Sequence, residues 1–286
     1  MNLQSFQLLL LLSLCWAPVV FVRGWQGWLT IGKDFARKSR VIFGIGGVLL
    51  NCPFPSSAVE TASPASITTT LSATTQSSQK YYFGLGCFWH VQHEFVEKEK
   101  NLLQRRDDEI TSVVGYAGGT GIQKDGLVCY HNNEGVEDYS KLGHAEVVSV
   151  DFPIEKFKDF NVLYLSLFSP SLDRPDIGDR GAEYRSLIGL PGGVKNENYA
   201  ILKELADSKG LILKEGRGND GDTLGKRVVW VMDSNKFTFH QGETFHQFHD
   251  GFMPDEQYPA SYNSLIKSAF TRGFIRPTGC PAEIQF

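Results

Sequence analysis

At residue 80 this 286-residue chain changes character, and that break decides which part of it can build a core. Residues 1–79 carry no core-forming periodicity and are set aside from the fold. They open with an apolar run at 6–22, of signal-peptide length, interrupted by Pro18 and too short to read as a membrane span. A basic stretch through Arg40, a second apolar segment at 41–50 and a Ser/Thr/Ala/Pro-rich run at 53–79 follow. This order predicts a targeting presequence and linker, of the two-part kind that directs import into a plastid through the secretory route; simple secretion, or tethering through 41–50, fits the same residues. From Lys80 onward, strand and helix signals alternate. A strand is expected at 81–85, stopped by Gly86, after which Phe88, Val91, Phe95 and Leu102 recur at helical spacing. Further strands are expected at 110–116, 145–152, 184–188, 211–214 and 227–232, and helices after Pro153, over 194–208 and over 260–272. The β-α-β-β-α-β order predicts an α+β fold. It reads as a ferredoxin-like two-layer sandwich with helices on one side of a mixed sheet, a single domain over 80–286 with a long irregular C-terminal region.

Charge and cysteine usage narrow the function. The leader holds five Lys/Arg against two acids, leaving the body at −7 within a chain of net charge −4. An acidic body without a basic stripe argues against nucleic-acid binding. Only Cys87, Cys129 and Cys280 lie beyond residue 79, and no C-x-x-C pair joins them. That is neither a disulfide framework nor a zinc site; it fits one reactive thiol with optional partners. For Cys129 alone, a buried core cysteine is the simpler reading.

The sharpest constellation is Gly86-Cys87-Phe88-Trp89-His90, a cysteine set where a strand ends and a helix begins. Unpaired backbone N–H groups and the positive end of the helix dipole favour a thiolate there, so Cys87 is expected to be activated. Phe88 and Trp89 offer aromatic surface for a methyl group; Phe88 fits the core equally well, whereas Trp89 falls one residue off the buried stripe. In the strand 145–152, period-two alternation puts Glu146 on the face of Val148, Val150 and Phe152. Desolvation on that face would keep its carboxyl protonated near neutrality, as a general acid needs; a strand-end glutamate reaching solvent fits the same position.

Gly86-Cys87-Phe88-Trp89 resembles the nucleophile motif of the A-class peptide-methionine sulfoxide reductases. Three further blocks match that family in order: Gly115-Tyr116-Ala117-Gly118-Gly119, Gly143-His144-Ala145-Glu146, and the run from Gly178 to Ser186. The resemblance spans roughly 80–274 and weakens after Gly193. It implies thiol-dependent reduction of methionine S-sulfoxide, with Cys87 as nucleophile and Glu146 as acid. It further implies that Asp179 and Tyr184 contact substrate, that Phe88 and Trp89 cradle its methyl group, and that no cofactor or metal takes part. A further active-site tyrosine is either Tyr130 or Tyr139, with Tyr130 preferred. Arg185 is expected to anchor Asp179 or Glu183 through a salt bridge. The sulfenic acid left on Cys87 needs a second thiol. Cys280, in a Gly-Cys-Pro tail mobile enough to swing in, is the first candidate, Cys129 the rival, and external thiol alone the third route. Thioredoxin or another thiol is the expected reductant, and the enzyme is expected to act as a monomer.

The chain departs from the family at His90, commonly glycine there, which would crowd the pocket or lend charge to the thiolate. Its tail has a single cysteine where many relatives have two, and the connection over 130–142 is longer than usual. Two other readings use the same residues. One is a metal-binding protein built on His240, His246 and His249, for which no nearby cysteine completes a ligand set. The other is a catalytically silent relative that binds oxidised peptides.

Overall fold

The computed structural model describes residues 77–251 and 257–281, all within the second of the chain's two compact units, Thr69–Phe286. The expected leader lies outside the described residues except for 77–79, where the first strand is already under way. That strand, β1 (Ser78–Gly84), pairs Ser78 with Pro153 and Gln79 with Phe152. It is followed by α1 (Phe88–Leu103), β2 (Val113–Ala117), β3 (Ala145–Pro153), α2 (Phe157–Ser166) and β4 (Leu187–Leu190). β4, β1, β3 and β2 lie side by side and antiparallel, the strand arrangement of a ferredoxin-like sandwich. After α3 (Tyr199–Lys209), β5 (Ile212–Glu215) and β6 (Val228–Asp233) extend the sheet in parallel beyond β4. The two-residue β7 (His240–Gln241) closes the opposite edge on β2, giving the order β5-β6-β4-β1-β3-β2-β7. The α+β expectation holds, and the mixed character of the sheet comes from its late strands.

Alternation along the strands sorts the core. Tyr81, Phe83, Val148, Val150, Phe152 and Ile188 are buried with Val91 and Phe95 of α1 and Phe157, Phe160 and Tyr164 of α2. Tyr82, Ala117, Ala145, Val147, Leu187 and Met232 belong to a second cluster with Trp230, Phe237 and Phe239. Burial of a large apolar side chain contributes roughly 1.5–3 kcal/mol, so one register holds both clusters and a one-residue slip would empty them. A third cluster ties Val96 and Val113 to Tyr262 of α4 (Ala260–Asn263) and Leu265 and Ala269 of α5 (Leu265–Thr271).

The strand expected at 110–116 runs Val113–Ala117 and the helix expected over 260–272 is divided at Ser264, while two further expected elements shift for visible local reasons. The strand expected at 184–188 begins at Leu187, because Ala182–Tyr184 forms a single 3-10 turn closed by Tyr184 N–H donating to the Gly181 carbonyl. The helix expected from 194 starts at Tyr199, because the Asn196 side chain donates to the Pro191 carbonyl and accepts from Asn198 N–H. Both are side-chain and turn bonds that compete with helix or strand pairing.

Candidate active site

Cys87 ends the β1–α1 turn as the N-cap of α1, in extended backbone. Gly86 before it has φ of 66°, and a Cβ there would stand 2.9 Å from Asp179 Oδ2. The turn therefore needs glycine on both grounds. The first N–H groups of α1 have no partner inside the helix. Here two carboxyl groups take them: Cys87 N–H donates to Asp179 Oδ2 at 2.9 Å, and Phe88 N–H donates to Glu146 Oε2 at 2.9 Å. The Gly86 N–H donates to the Tyr184 carbonyl at 3.1 Å. Residues from three distant stretches, 86–88, 146 and 179–184, are thus tied through backbone groups.

The electrostatics reverse one expectation. Backbone N–H groups of Trp89 and His90 do draw the Cys87 thiol toward ionisation. Burial works the other way and is the larger effect, and the Glu146 and Asp179 carboxyls add to it. The thiol is held well above its ordinary value, so Cys87 rests as a thiol rather than the activated thiolate expected from a helix N-terminus alone. His90 contributes its backbone N–H and does not line the cavity.

Glu146 sits where the strand alternation puts it, 2 % exposed and paired across to Tyr116. Burial pushes its carboxyl up to about 8, against the opposing pull of hydrogen bonds from Phe88 N–H and the Tyr139 hydroxyl. At neutral pH it is mostly protonated, which also removes most of its repulsion of a Cys87 thiolate. The solvent-exposed alternative is excluded by its burial.

A cavity of about 370 Å³ opens on these groups, lined by Cys87, Phe88, Trp89, Tyr130, Glu146 and Tyr184, with Asp176, Asp179, Phe245 and His246 completing it. Every residue expected to act or bind there, the cysteine partners apart, is brought to one space. Tyr130 lines the cavity together with Tyr184. Tyr139 stands behind it, stacked on Tyr116 at 4.6 Å and donating to Glu146 Oε1 at 3.1 Å. The two tyrosines therefore stand in two different places, one lining the cavity and one bonded to Glu146.

Two expectations are corrected. Cys129 and Cys280 are joined in a disulfide with Cα atoms 5.6 Å apart. Both are buried, so Cys280 is not a mobile tail thiol and Cys129 is not a solitary core cysteine. Cys87 is the free cysteine among the described residues. Arg185 forms no salt bridge with Asp179 or Glu183. Its buried guanidinium donates to the carbonyls of Ala182, Gly118 and Gly143, stitching the second, third and fourth motif blocks together. The ion pair near Asp179 is made by Arg174 instead: it joins Asp222 and donates to the Asp179 carbonyl at 2.9 Å. Nothing in the sequence singled out Arg174, because its partner is 48 residues away. Among the described residues, the three histidines of the metal reading do not form a ligand cluster. His240 pairs with Tyr116 in β7, His246 lines the cavity, and the His249 ring lies 4.0 Å from that of Trp89, tilted by 32°.

A family model for peptide methionine sulfoxide reductase matches residues 79–211, the stretch that carries the nucleophile, the buried acid, Asp179 and Tyr184. Residues 79–211 form a domain of the peptide methionine sulfoxide reductase family. Among curated relatives, it is 29% identical over 176 residues to a peptide methionine sulfoxide reductase MsrA of Methanothermobacter thermautotrophicus, covering 59% of this chain and 84% of that one. It is 26% identical over 184 residues to the mitochondrial peptide methionine sulfoxide reductase of Bos taurus, covering 63% of this chain and 66% of the relative. A solved structure of Mxr1 from Saccharomyces cerevisiae in reduced form aligns at 19% identity and a TM-score of 0.41, over 65% of this chain and 90% of that one. The activity is reduction of methionine sulfoxide. In this reductase the match ends at residue 211, whereas Phe245 and His246 of the cavity lie beyond it.

Proposed function

We propose that the reductase works through Cys87 as nucleophile and Glu146 as general acid, on the S epimer of methionine sulfoxide. The observation that carries this is a buried, neutral carboxyl and a cavity-facing thiol on the same helix N-terminus, Glu146 bonded to Phe88 N–H and Cys87 one residue before. Sγ attacks the sulfoxide sulfur. The thiol proton and the Glu146 proton pass to the sulfoxide oxygen, which leaves the substrate sulfur as water once the S–S bond has formed. That water adds to Sγ, the S–S bond breaks with its electron pair going to the thioether, and a proton returns to Glu146. The products are methionine and a Cys87 sulfenic acid: the cysteine sulfur is oxidised and the substrate sulfur reduced. The Tyr184 and Tyr130 hydroxyls stabilise charge on the oxygen, and Phe88 and Trp89 receive the methyl group. Because the thiol rests protonated, ionisation belongs to the bound complex, and transfer of its proton to the sulfoxide oxygen is part of the barrier.

Recycling falls to an external thiol such as thioredoxin, since the described part of the chain holds no second free cysteine. That thiol condenses with the sulfenic acid, releasing water, and a second thiol reduces the mixed disulfide. The leader directs the enzyme to a plastid or the secretory pathway, where it repairs oxidised proteins as a monomer. One turnover without reductant followed by mass spectrometry tests the scheme. Oxygen retained on the Cys87 peptide is expected. Full turnover by a Cys87→Ser variant, or a disulfide from Cys87 to Cys280 in that single turnover, would refute it.

A further inference from the structure

Beside the Cys129–Cys280 disulfide stands a third group with ligand chemistry. A carboxyl oxygen of Glu243 and the two sulfurs all lie within 4.8 Å of one another, and Glu243 is buried with them. A disulfide is neutral and asks nothing of a neighbouring carboxylate. Two thiolates and a carboxylate, by contrast, are a ligand set for a zinc-type cation. No local spacing announces the set, because its members come from three distant stretches of the chain.

Each member is held by bonds other than the S–S link. The Glu243 carboxyl accepts from the Tyr116 hydroxyl at 2.6 Å and from Tyr130 N–H at 2.7 Å, which orients it as hydrogen bonds orient a metal-bound carboxylate. A carboxylate offers about four lone-pair sites, so accepting these bonds does not preclude ligation. The Cys129 carbonyl accepts from Tyr139 N–H at 2.8 Å. The tail is tied to β7 by a reciprocal pair, Gln241 Nε2 donating to the Arg276 carbonyl at 2.6 Å and Arg276 N–H donating to Gln241 Oε1 at 3.3 Å. Cleavage of the S–S bond therefore leaves the two sulfurs close, on Cα atoms 5.6 Å apart. On a tetrahedral zinc ion with Zn–S of about 2.3 Å, two sulfurs stand about 3.8 Å apart, a spacing reached by turning side-chain torsions. An entry path is present on both sides. One cavity of about 370 Å³, separate from the catalytic one, is lined by Cys129 with Asp125, Glu134, Glu137 and Lys124, an excess of negative charge that draws cations. Another of about 250 Å³ is lined by Cys280.

We propose that the reduced chain holds one zinc-type divalent cation on Cys129 Sγ, Cys280 Sγ and the Glu243 carboxylate, with solvent as fourth ligand, and that the disulfide is the metal-free, oxidised form of the same site. Two electrons from an external dithiol break the S–S bond, the dithiol becoming a disulfide. The two thiols then give up their protons to solvent as the cation binds. The site shares no residue with the Cys87–Glu146 mechanism and does not depend on it.

The test titrates cobalt(II), whose bonds to thiolate absorb in the near ultraviolet, into the full chain carrying Cys87→Ser. The protein is first reduced with a phosphine, which is then removed without air. One equivalent is expected to bind with the thiolate band, and zinc to displace it. Cys280→Ser in the same background, and the unreduced chain, are expected to lack that band. The leader's Cys15 and Cys52 are common to all these proteins and cancel in the comparison. Glu243→Gln, which keeps an oxygen acceptor, is expected to form the disulfide on oxidation but to weaken the cobalt Kd of the reduced chain by roughly tenfold or more, at least the worth of an outer-shell partner. A reduced chain without the band, a band of equal strength in Cys280→Ser, or an unchanged Kd in folded Glu243→Gln overturns the assignment. Cys280→Ser, in the tail, decides the matter should Glu243→Gln fail to fold.

Discussion

The two walls of the cavity are held by different kinds of force. On one, Cys87, Glu146 and Asp179 are fixed by charged or polar hydrogen bonds to backbone groups of a single helix N-terminus. On the other, Phe245 and His246 pack through their rings against each other, and His246 packs against Phe88 and Tyr130 with its ring nitrogens unpaired. Hydrogen bonds to backbone set positions to a few tenths of an ångström, which reacting atoms require. Aromatic packing tolerates small rotations of the rings. The comparison teaches that one wall is set by hydrogen bonds within the β-α-β-β-α-β core, and the other by ring packing from residues 245–246, which follow it in the chain.

The hardest test of the first wall is Glu146→Gln. Removing the acid is expected to lower kcat by about 10²–10⁴, the usual worth of general acid catalysis. In the unmodified enzyme, kcat/KM is expected to fall as pH rises through about 8, where Glu146 gives up its proton, and the variant should lose that limb. Stability should move in the opposite direction. The folded pKa of this acid is raised, so its cost is absent below the unfolded value near 4.5 and grows as pH rises toward 8. Urea unfolding at pH 8 should then show Glu146→Gln more stable by a few kcal/mol, with the difference vanishing at pH 4. An unchanged difference at both pH values would mean that burial of the carboxyl is not what perturbs it.

Next in size is the brace behind the aromatic wall. The Cys129–Cys280 bond closes a separation of 151 residues. Cys280→Ser should cost about 2–5 kcal/mol in urea unfolding, while turnover supported by dithiothreitol persists. Abolished turnover with intact folding would return Cys280 to the role of resolving thiol. Gly86→Ala comes third. Its positive φ and the 2.9 Å approach to Asp179 predict about 1–3 kcal/mol of destabilisation, read by thermal unfolding, together with impaired activity. Smallest is Tyr139→Phe. It removes a hydrogen bond that favours ionised Glu146, so the alkaline limb should move to higher pH with only a few-fold loss in kcat/KM. A limb that stays put would separate Tyr139 from the acid.

Much of the first wall was legible because short-range periodicity carries it. Strand alternation placed Glu146 on the apolar face, and the glycine-then-cysteine junction marked Cys87 as a helix N-cap. Arg185 was legible as a structural residue but not in its partners: a guanidinium beside two carboxylates in sequence suggests an ion pair, yet the fold offers it three carbonyls from separate turns. The protonation state of Cys87 was misjudged for a related reason. A helix N-terminus is a local feature that favours the anion, whereas the burial and the two carboxyls that outweigh it arrive from residues 59 and 92 positions away.

By itself, the sequence determined the order of strands and helices, the face on which each core residue stands, and the residue types brought to the reaction. These follow from backbone geometry repeated every two or 3.6 residues, which the order of residues alone encodes. The tertiary structure decided the rest: that Cys129 meets Cys280, that Arg174 rather than Arg185 forms the ion pair near Asp179, that Tyr139 backs the acid while Tyr130 faces the cavity, and that His246 enters the site at all. Each of these depends on two segments far apart in the chain meeting at one point. Protonation states belong with them, since burial is a property of the whole packed assembly and of no single stretch of residues.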